Sequence, residues 1–195
     1  MMRALVRRFA AKLGAFRRED RAVAAVEFAL IVPFLLTLYF GSMEASSLFV
    51  ADRSVNTVSA TVGDLVSQWD SDDGSIPVAT MNAYFAAAAP LMFPLSTTGL
   101  KQVVTCIQVK ADGTTVVIWS KANGTGATAR VVGSSYPLPA SQTMNSVARG
   151  GYLIASEVYY SYLPVLGQVF STTLNLYREN LYMPRFGPTE LITVA

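Results

Sequence analysis

The chain contains no histidine and only one cysteine, Cys106. The missing histidine removes the commonest general base and the commonest zinc ligand. One thiol excludes an intramolecular disulfide, and with no imidazole to activate it Cys106 reads as a structural thiol in mid-strand. Charged residues are sparse, and the basic residues after Arg53 stand singly, which excludes the clustered basic face of a nucleic-acid surface. Gly-x-Ser-x-Gly is absent, and no internal repeat or low-complexity tract stands out. Catalysis is thereby left without its usual side chains, so no enzymatic activity, metal or cofactor is expected.

Apolar side chains are abundant instead. They make up 52% of residues and concentrate in one run, Ala22 to Met43 (AVAAVEFALIVPFLLTLYFGSM), whose one charge is Glu27. At helical rise this run covers about 30 Å, the hydrocarbon thickness of a bilayer. Before it stand seven basic residues, Arg3, Arg7, Arg8, Lys12, Arg17, Arg18 and Arg21, opposed by Glu19 and Asp20, a net of +5. The remainder carries eight basic against eleven acidic residues, a net of −3. That asymmetry predicts a cytoplasmic N-terminus and an extracytoplasmic C-terminal part. A cleaved secretory signal has a shorter apolar core followed by an A-x-A site. Glu44-Ala45-Ser46-Ser47 is a weak version of such a site, so an anchor retained in the product is the better reading.

In order, residues 1–21 place Leu5, Val6, Phe9, Leu13 and Phe16 near helical spacing, as a basic amphipathic helix on the membrane face. The membrane helix contains Pro33 and Gly41 and is expected to continue past Met43. Leu48, Ala51, Val55, Val58, Val62, Leu65 and Trp69 repeat at alternating steps of three and four, an apolar stripe one helix face wide. That stripe packs either on the following domain or, as the second reading, on a partner helix. Asp70 to Gly74 ends it. Val78 to Met92 reads as a second helix ended by Pro90. Leu100–Lys110 alternates, with Val103, Thr105, Ile107 and Val109 on one face and Val104, Cys106, Gln108 and Lys110 on the other. It pairs through the turn Ala111–Thr114 with Thr115–Ser120 as a hairpin. Residues 121–139 read as loop, with a short strand at Ala129–Val132. Ala140–Ala148 suggests a short helix, and Tyr152–Tyr162 and Thr172–Tyr182 two more strands.

Glu27 has two readings. A carboxylate near the cytoplasmic end of a span, with Arg21 in reach, is tolerable as an interfacial residue. The sharper reading comes from the surrounding residues. A basic leader, a small Ala22 and then VAAVEFALIVP resemble the processing and membrane segment of class III pilins and pseudopilins. In that group a prepilin peptidase cuts before an apolar helix whose fifth residue is Glu. The resemblance puts the cut between Ala22 and Val23 and makes Glu27 the assembly and processing glutamate. Where the family usually carries Gly before the cut, this chain carries Ala22.

Three later stretches extend the likeness. Val109 to Ser120 (hydrophobic, Asp112-Gly113, hydrophobic, Trp119-Ser120), Ser156-Glu157-Val158-Tyr159-Tyr160-x-Tyr162-x-Pro164, and Tyr182-Met183-Pro184-Arg185 are similar to TadE-like minor pseudopilins of the tight-adherence (Flp) pilus system. The collinear match runs from about Arg17 to Arg185. It implies an inner-membrane accessory protein of type IVb/Flp pilus biogenesis, processed by prepilin peptidase. Implied partners are a TadF-like minor pseudopilin, other pilus components and the inner-membrane assembly platform. In related pilins this glutamate neutralises the freed N-terminal amine of a neighbouring subunit, an attraction that is far stronger in apolar surroundings than in water.

Other candidates read as structure. Asp70-Ser71-Asp72-Asp73-Gly74 fails the calcium-loop template, because the twelfth residue is Met81. Asn123 to Thr128 lacks the Gly-Lys-Ser/Thr ending of a phosphate loop. Glu157 and Arg178 are placed to pair across neighbouring strands, a contact of small worth if exposed. Tyr152, Tyr159, Tyr160, Tyr162, Tyr177 and Tyr182 suit sheet packing or, alternatively, a subunit contact.

The expected architecture is α+β and pilin-like: a long N-terminal membrane-spanning helix packed on a small antiparallel sheet, with one or two extra helices. Residues 1–22 are the basic cytoplasmic leader, 23–69 the membrane-spanning and extended helix, and 70–195 the extracytoplasmic domain. Phe28, Leu30, Ile31, Pro33, Phe34, Leu35, Leu36, Leu38 and Phe40 are the membrane residues. Leu48, Val55, Val62, Tyr159 and Tyr160 are candidate subunit contacts. The expected function is assembly of a Flp-type pilus for surface adherence, by initiation, capping or a minor-pilin complex. The alternative is a membrane-anchored binding or adhesion module with no filament role.

Overall fold

A computed structural model describes residues 20–138, 143–164 and 172–195. The leader helix expected over residues 1–21 falls almost wholly outside them. The chain divides into two compact units, Met1–Ser46 with Pro164–Ser171, and Ser47–Leu163 with Thr172–Ala195.

Apart from Pro164, the first unit is helical where it is described. It contains the first part of α1 (Asp20–Ser67), with Pro33 inside it. Pro33 has no N–H, so the carbonyl of Ala29 loses its usual donor. Thr37 donates its hydroxyl to Pro33 O at 2.8 Å, and Ser42 and Ser46 donate to Tyr39 O and Ser42 O at 2.7 and 2.8 Å. Each hydroxyl is thus satisfied within the helix, as an apolar surrounding requires.

In the second unit α1 continues to Ser67, followed by a 3₁₀ turn (Ser71–Asp73), α2 (Val78–Ala86), α3 (Ala88–Met92), β1 (Leu100–Val109), β2 (Thr115–Asn123), α4 (Thr143–Val147), β3 (Gly151–Tyr162) and β4 (Leu174–Tyr182). The strands form one antiparallel sheet in the order β2-β1-β3-β4. The helix Val78–Met92 expected from sequence is two helices, broken at Ala87. Pro90 lies inside α3 instead of ending α2. Without an N–H it cannot donate to Ala86, so the break falls upstream, and the first turn of α3 accepts the proline. The expected strand at Ala129–Val132 is loop, and β2 runs on to Asn123.

The apolar stripe of α1 lies on the sheet. Ala51, Val55, Val58, Val62 and Val66 are fully buried, with Val104, Cys106, Ile154, Val158 and Tyr160 beneath them and Met81, Phe85, Ala88 and Met92 at one end. Val66 takes the place expected for Leu65. Steps of three and four average 3.5 residues, whereas a straight α-helix turns in 3.6, so the buried line drifts forward by one residue over the stretch. Each of these valines contributes roughly 1.5 kcal/mol or more through burial. Gly63 is required here: a Cβ would lie 2.6 Å from the Tyr182 ring and 2.9 Å from Ser156 Cβ.

A row of polar links follows the side of α1 along β4. Arg178 pairs with Asp52 at 2.6 Å, and Asn180 donates to Asn56 and Ser59 at 3.3 and 3.0 Å. Arg185 reaches Asp64 at 2.6 Å, and its backbone N–H donates to Ser67 O at 2.9 Å. Ser59 donates in turn to Ser156 O at 2.7 Å.

The opposite face of the sheet is also covered. Ile107, Val109, Val117, Leu153 and Ala155 form a second core with Tyr136 and Ala148. That is why β1 is buried on both faces despite its alternating sequence.

Candidate functional site

Val23 and Glu27 are exposed on α1, and Ala22 lies in the same helix. Among the described residues Glu27 forms no ion pair. Phe28, Leu30, Ile31, Pro33, Phe34, Leu35, Leu36 and Leu38 are exposed, and Phe40 is half-buried, with its ring edge-on to Tyr39. A run of exposed apolar side chains on one helix is unstable in water and suited to lipid. By length and composition this helix can cross a membrane, which is compatible with a single-pass anchor.

The five candidate subunit contacts separate. Val55 and Val62 are fully buried, Tyr160 is nearly so, and Leu48 packs against the same core. These four are used by the protein's own interior, because the stripe needs an apolar partner and the sheet supplies it within the chain. Tyr159 stays on the surface, 39% exposed.

The expected pair of Glu157 with Arg178 does not form. The register sets Arg178 opposite Val158 and Glu157 opposite Glu179. Neighbouring strand residues point to opposite faces, so Arg178 turns toward α1 and Asp52. Glu157 faces the other way and is 1% exposed, held by Arg130 through two 2.6 Å bonds, Nε to Oε2 and Nη2 to Oε1. The hydroxyls of Tyr159 and Tyr177 each donate to Glu157 Oε1 at 3.0 Å. Tyr136 donates to Glu179 at 2.8 Å, and its ring lies under the Arg130 guanidinium, 4.3 Å from centroid to Cζ.

Burial alone would push the Glu157 carboxyl up. Hydrogen bonding and charge from Arg130, then the two tyrosine hydroxyls, outweigh it and hold the group below the usual carboxylate range. Burial, followed by the charge of Glu157, pushes Tyr177 and Tyr136 well above the ordinary phenol value. The cluster is therefore a fixed ion pair with neutral tyrosines around it, poised to orient side chains and unsuited to moving protons near neutrality.

Sequence reasoning missed Arg130 and Tyr136: Arg130 falls in the short strand expected at Ala129–Val132, and Tyr136 in the loop read around it. The signal available was Glu157 itself, a carboxylate inside an otherwise apolar and aromatic strand, which demands a buried partner.

The remaining candidates have structural surroundings. Burial pushes the Cys106 thiol up to about 12. Asp70 caps the 3₁₀ turn by accepting from the Asp72 N–H at 3.0 Å. The Asn123–Gly124 corner is a tight turn in which a Cβ on Gly124 would meet Leu100 O. A cavity of about 580 Å³ lies between α2, α3 and the ends of β1 and β2, and no ionisable side chain lines it. Among the described residues there is no group of three acidic or cysteine side chains that could hold a metal ion.

Residues 22–63 match the family model described as TadE-like protein, the family to which the sequence resemblance points. No curated protein and no solved structure matches the chain.

Proposed function

We propose that the chain is a minor pseudopilin required for assembly of a Flp-type pilus, acting by initiation, capping or a minor-pilin complex, and that it works by association and not by catalysis. The observation that carries this reading is the family match, which opens at Ala22 and covers the exposed apolar part of α1. In this reading the N-terminus is cytoplasmic, α1 spans the inner membrane and the sheet domain lies outside the cytoplasm. Prepilin peptidase cuts between Ala22 and Val23.

Glu27, exposed and without an ion pair among the described residues, then meets the new amine of Val23 on a neighbouring subunit. In hydrocarbon a lone carboxylate is costly, whereas a carboxylate paired with an ammonium is tolerated, so the pair selects helix register as subunits bundle. The partners are a TadF-like minor pseudopilin, other pilus components and the assembly platform.

The test is Glu27→Leu in a piliated host. The variant should remain in the membrane while pili are lost; normal piliation would refute the assigned role. Intact-mass measurement on protein from a host with the peptidase should find the mature start at Val23, and a retained leader would remove the processing step. Deletion separates the alternative reading of an adhesive binding module: that reading predicts intact pili with lost adhesion.

A further inference from the structure

We propose that the sheet face turned away from α1 carries a binding platform for an acidic polysaccharide, centred on Lys101, Tyr159 and Tyr177. The proposal does not depend on the pilus-assembly reading.

The three side chains form a row across β1, β3 and β4. Lys101 is the cross-strand partner of Tyr159, and Tyr159 of Tyr177, so all three share one face. The two rings lie 4.8 Å apart and are about 40% exposed. Their hydroxyls point inward to Glu157, which Arg130 holds from below. The rings are therefore locked, and what they present outward is carbon surface. The negative face of such a ring attracts polarised C–H groups, and a pyranose carries a patch of C–H on one side.

Lys101 supplies the charge. Arg130, Arg178 and Arg185 each hold a carboxylate, whereas among the described residues the Lys101 ammonium forms no ion pair. The nearby acid Glu179 accepts from the Tyr136 hydroxyl at 2.8 Å, shares the single Tyr177 hydroxyl proton with Glu157, and forms no ion pair with Lys101. An ammonium without a counter-ion beside two fixed rings suits a carboxylate carried on a ring, as in a uronic acid.

Two grooves meet at this point. One, of about 240 Å³, is bounded by Val103, Gly126, Ala127 and Thr128. The other, of about 370 Å³, is bounded by Gly99, Ser161, Asn175 and Leu176. Lys101 and Tyr159 line both, so the grooves join into one track across the sheet face. Its small residues let a ring lie close, and the Thr128 hydroxyl and the Asn175 amide, whose Oδ1 accepts from Ser161 at 3.2 Å, offer partners for sugar hydroxyls.

The experiment uses the full-length chain in detergent micelles and titrates it with a short oligogalacturonate. Its methyl ester and poly-L-glutamate serve as comparators. The galacturonate should bind saturably and more tightly than either. Lys101→Gln should weaken it roughly tenfold, as loss of one charge-assisted hydrogen bond implies, with the melting temperature unchanged. Tyr159→Phe, which keeps the ring, should retain binding, and Tyr159→Ala should lose it. If Tyr159→Ala fails to fold, Lys101→Gln and the comparators decide. Absence of saturable binding, equal affinity for Lys101→Gln, or preference for poly-L-glutamate would each overturn the proposal.

Discussion

Arg130 and Glu157 close on each other from a loop and a central strand through two parallel 2.6 Å bonds, and the carboxylate they secure is sealed from solvent. Removing the arginine strands that charge. Arg130→Met should destabilise the sheet domain by roughly 3 kcal/mol, the low end of the range for breaking a buried pair, because the guanidinium is itself about a third exposed. Urea unfolding measures it, and a loss below about 1 kcal/mol would mean that Glu157 finds water or another donor.

The same pair sets a pH dependence. Glu157 has a folded-state pKa below its unfolded value, so its contribution is present above the unfolded pKa and disappears as pH falls through the folded one. Wild-type stability should therefore drop on acidification below the ordinary carboxylate range. In Arg130→Met the two tyrosine hydroxyls alone oppose burial, so less of the lowering survives and the variant should lose less stability on acidification than wild type. Parallel acid titrations of both proteins by circular dichroism would show the gap between them narrowing as the pH falls.

Two other ion pairs should behave differently. Asp52–Arg178 and Asp64–Arg185 have the same 2.6 Å contacts but partly exposed partners. Asp52→Asn should change stability by less than about 1 kcal/mol, and salt should erase the difference. A large effect would show that the row of links along β4 acts cooperatively.

Gly63→Ala tests the approach of helix to sheet. The added methyl would meet the Tyr182 ring, which can turn, and Ser156 Cβ, which cannot move without its strand. The expected loss is about 1–3 kcal/mol from overpacking. Pairing it with Tyr182→Ala should recover only the part due to the ring, and the double-mutant cycle reports that part.

Cys106 should resist alkylation in the folded state. It is fully buried and its thiol is pushed up to about 12, so little thiolate exists at pH 8. Mass spectrometry should find it unmodified by iodoacetamide until denaturant is added; rapid labelling of native protein would show that the core opens.

The elements with strong periodicity were legible before the fold was known. The stripe from Leu48 to Trp69, the alternation of Leu100–Lys110 and the two aromatic strands each state their type locally, and the sheet assembles them as an α+β domain. What the sequence left open was register and long-range pairing. Whether Glu157 meets Arg178 or Arg130 depends on a cross-strand offset of one residue, which reverses the face of every side chain. The loop from Gly124 to Leu138 carries no periodic signal, yet it delivers Arg130 and Tyr136 to the cluster. The break at Ala87 was obscured because an Ala-rich stretch favours helix on both sides of it.

The links joining α1 to β4 and to the residues just after it climb in the same direction: Asp52 to Arg178, Asn56 and Ser59 to Asn180, and Asp64 to Arg185. A pull along the helix axis loads them in shear, all at once, rather than peeling them apart one after another. The joint between rod and sheet is thus strongest against axial traction and weakest against a sideways lever at either end.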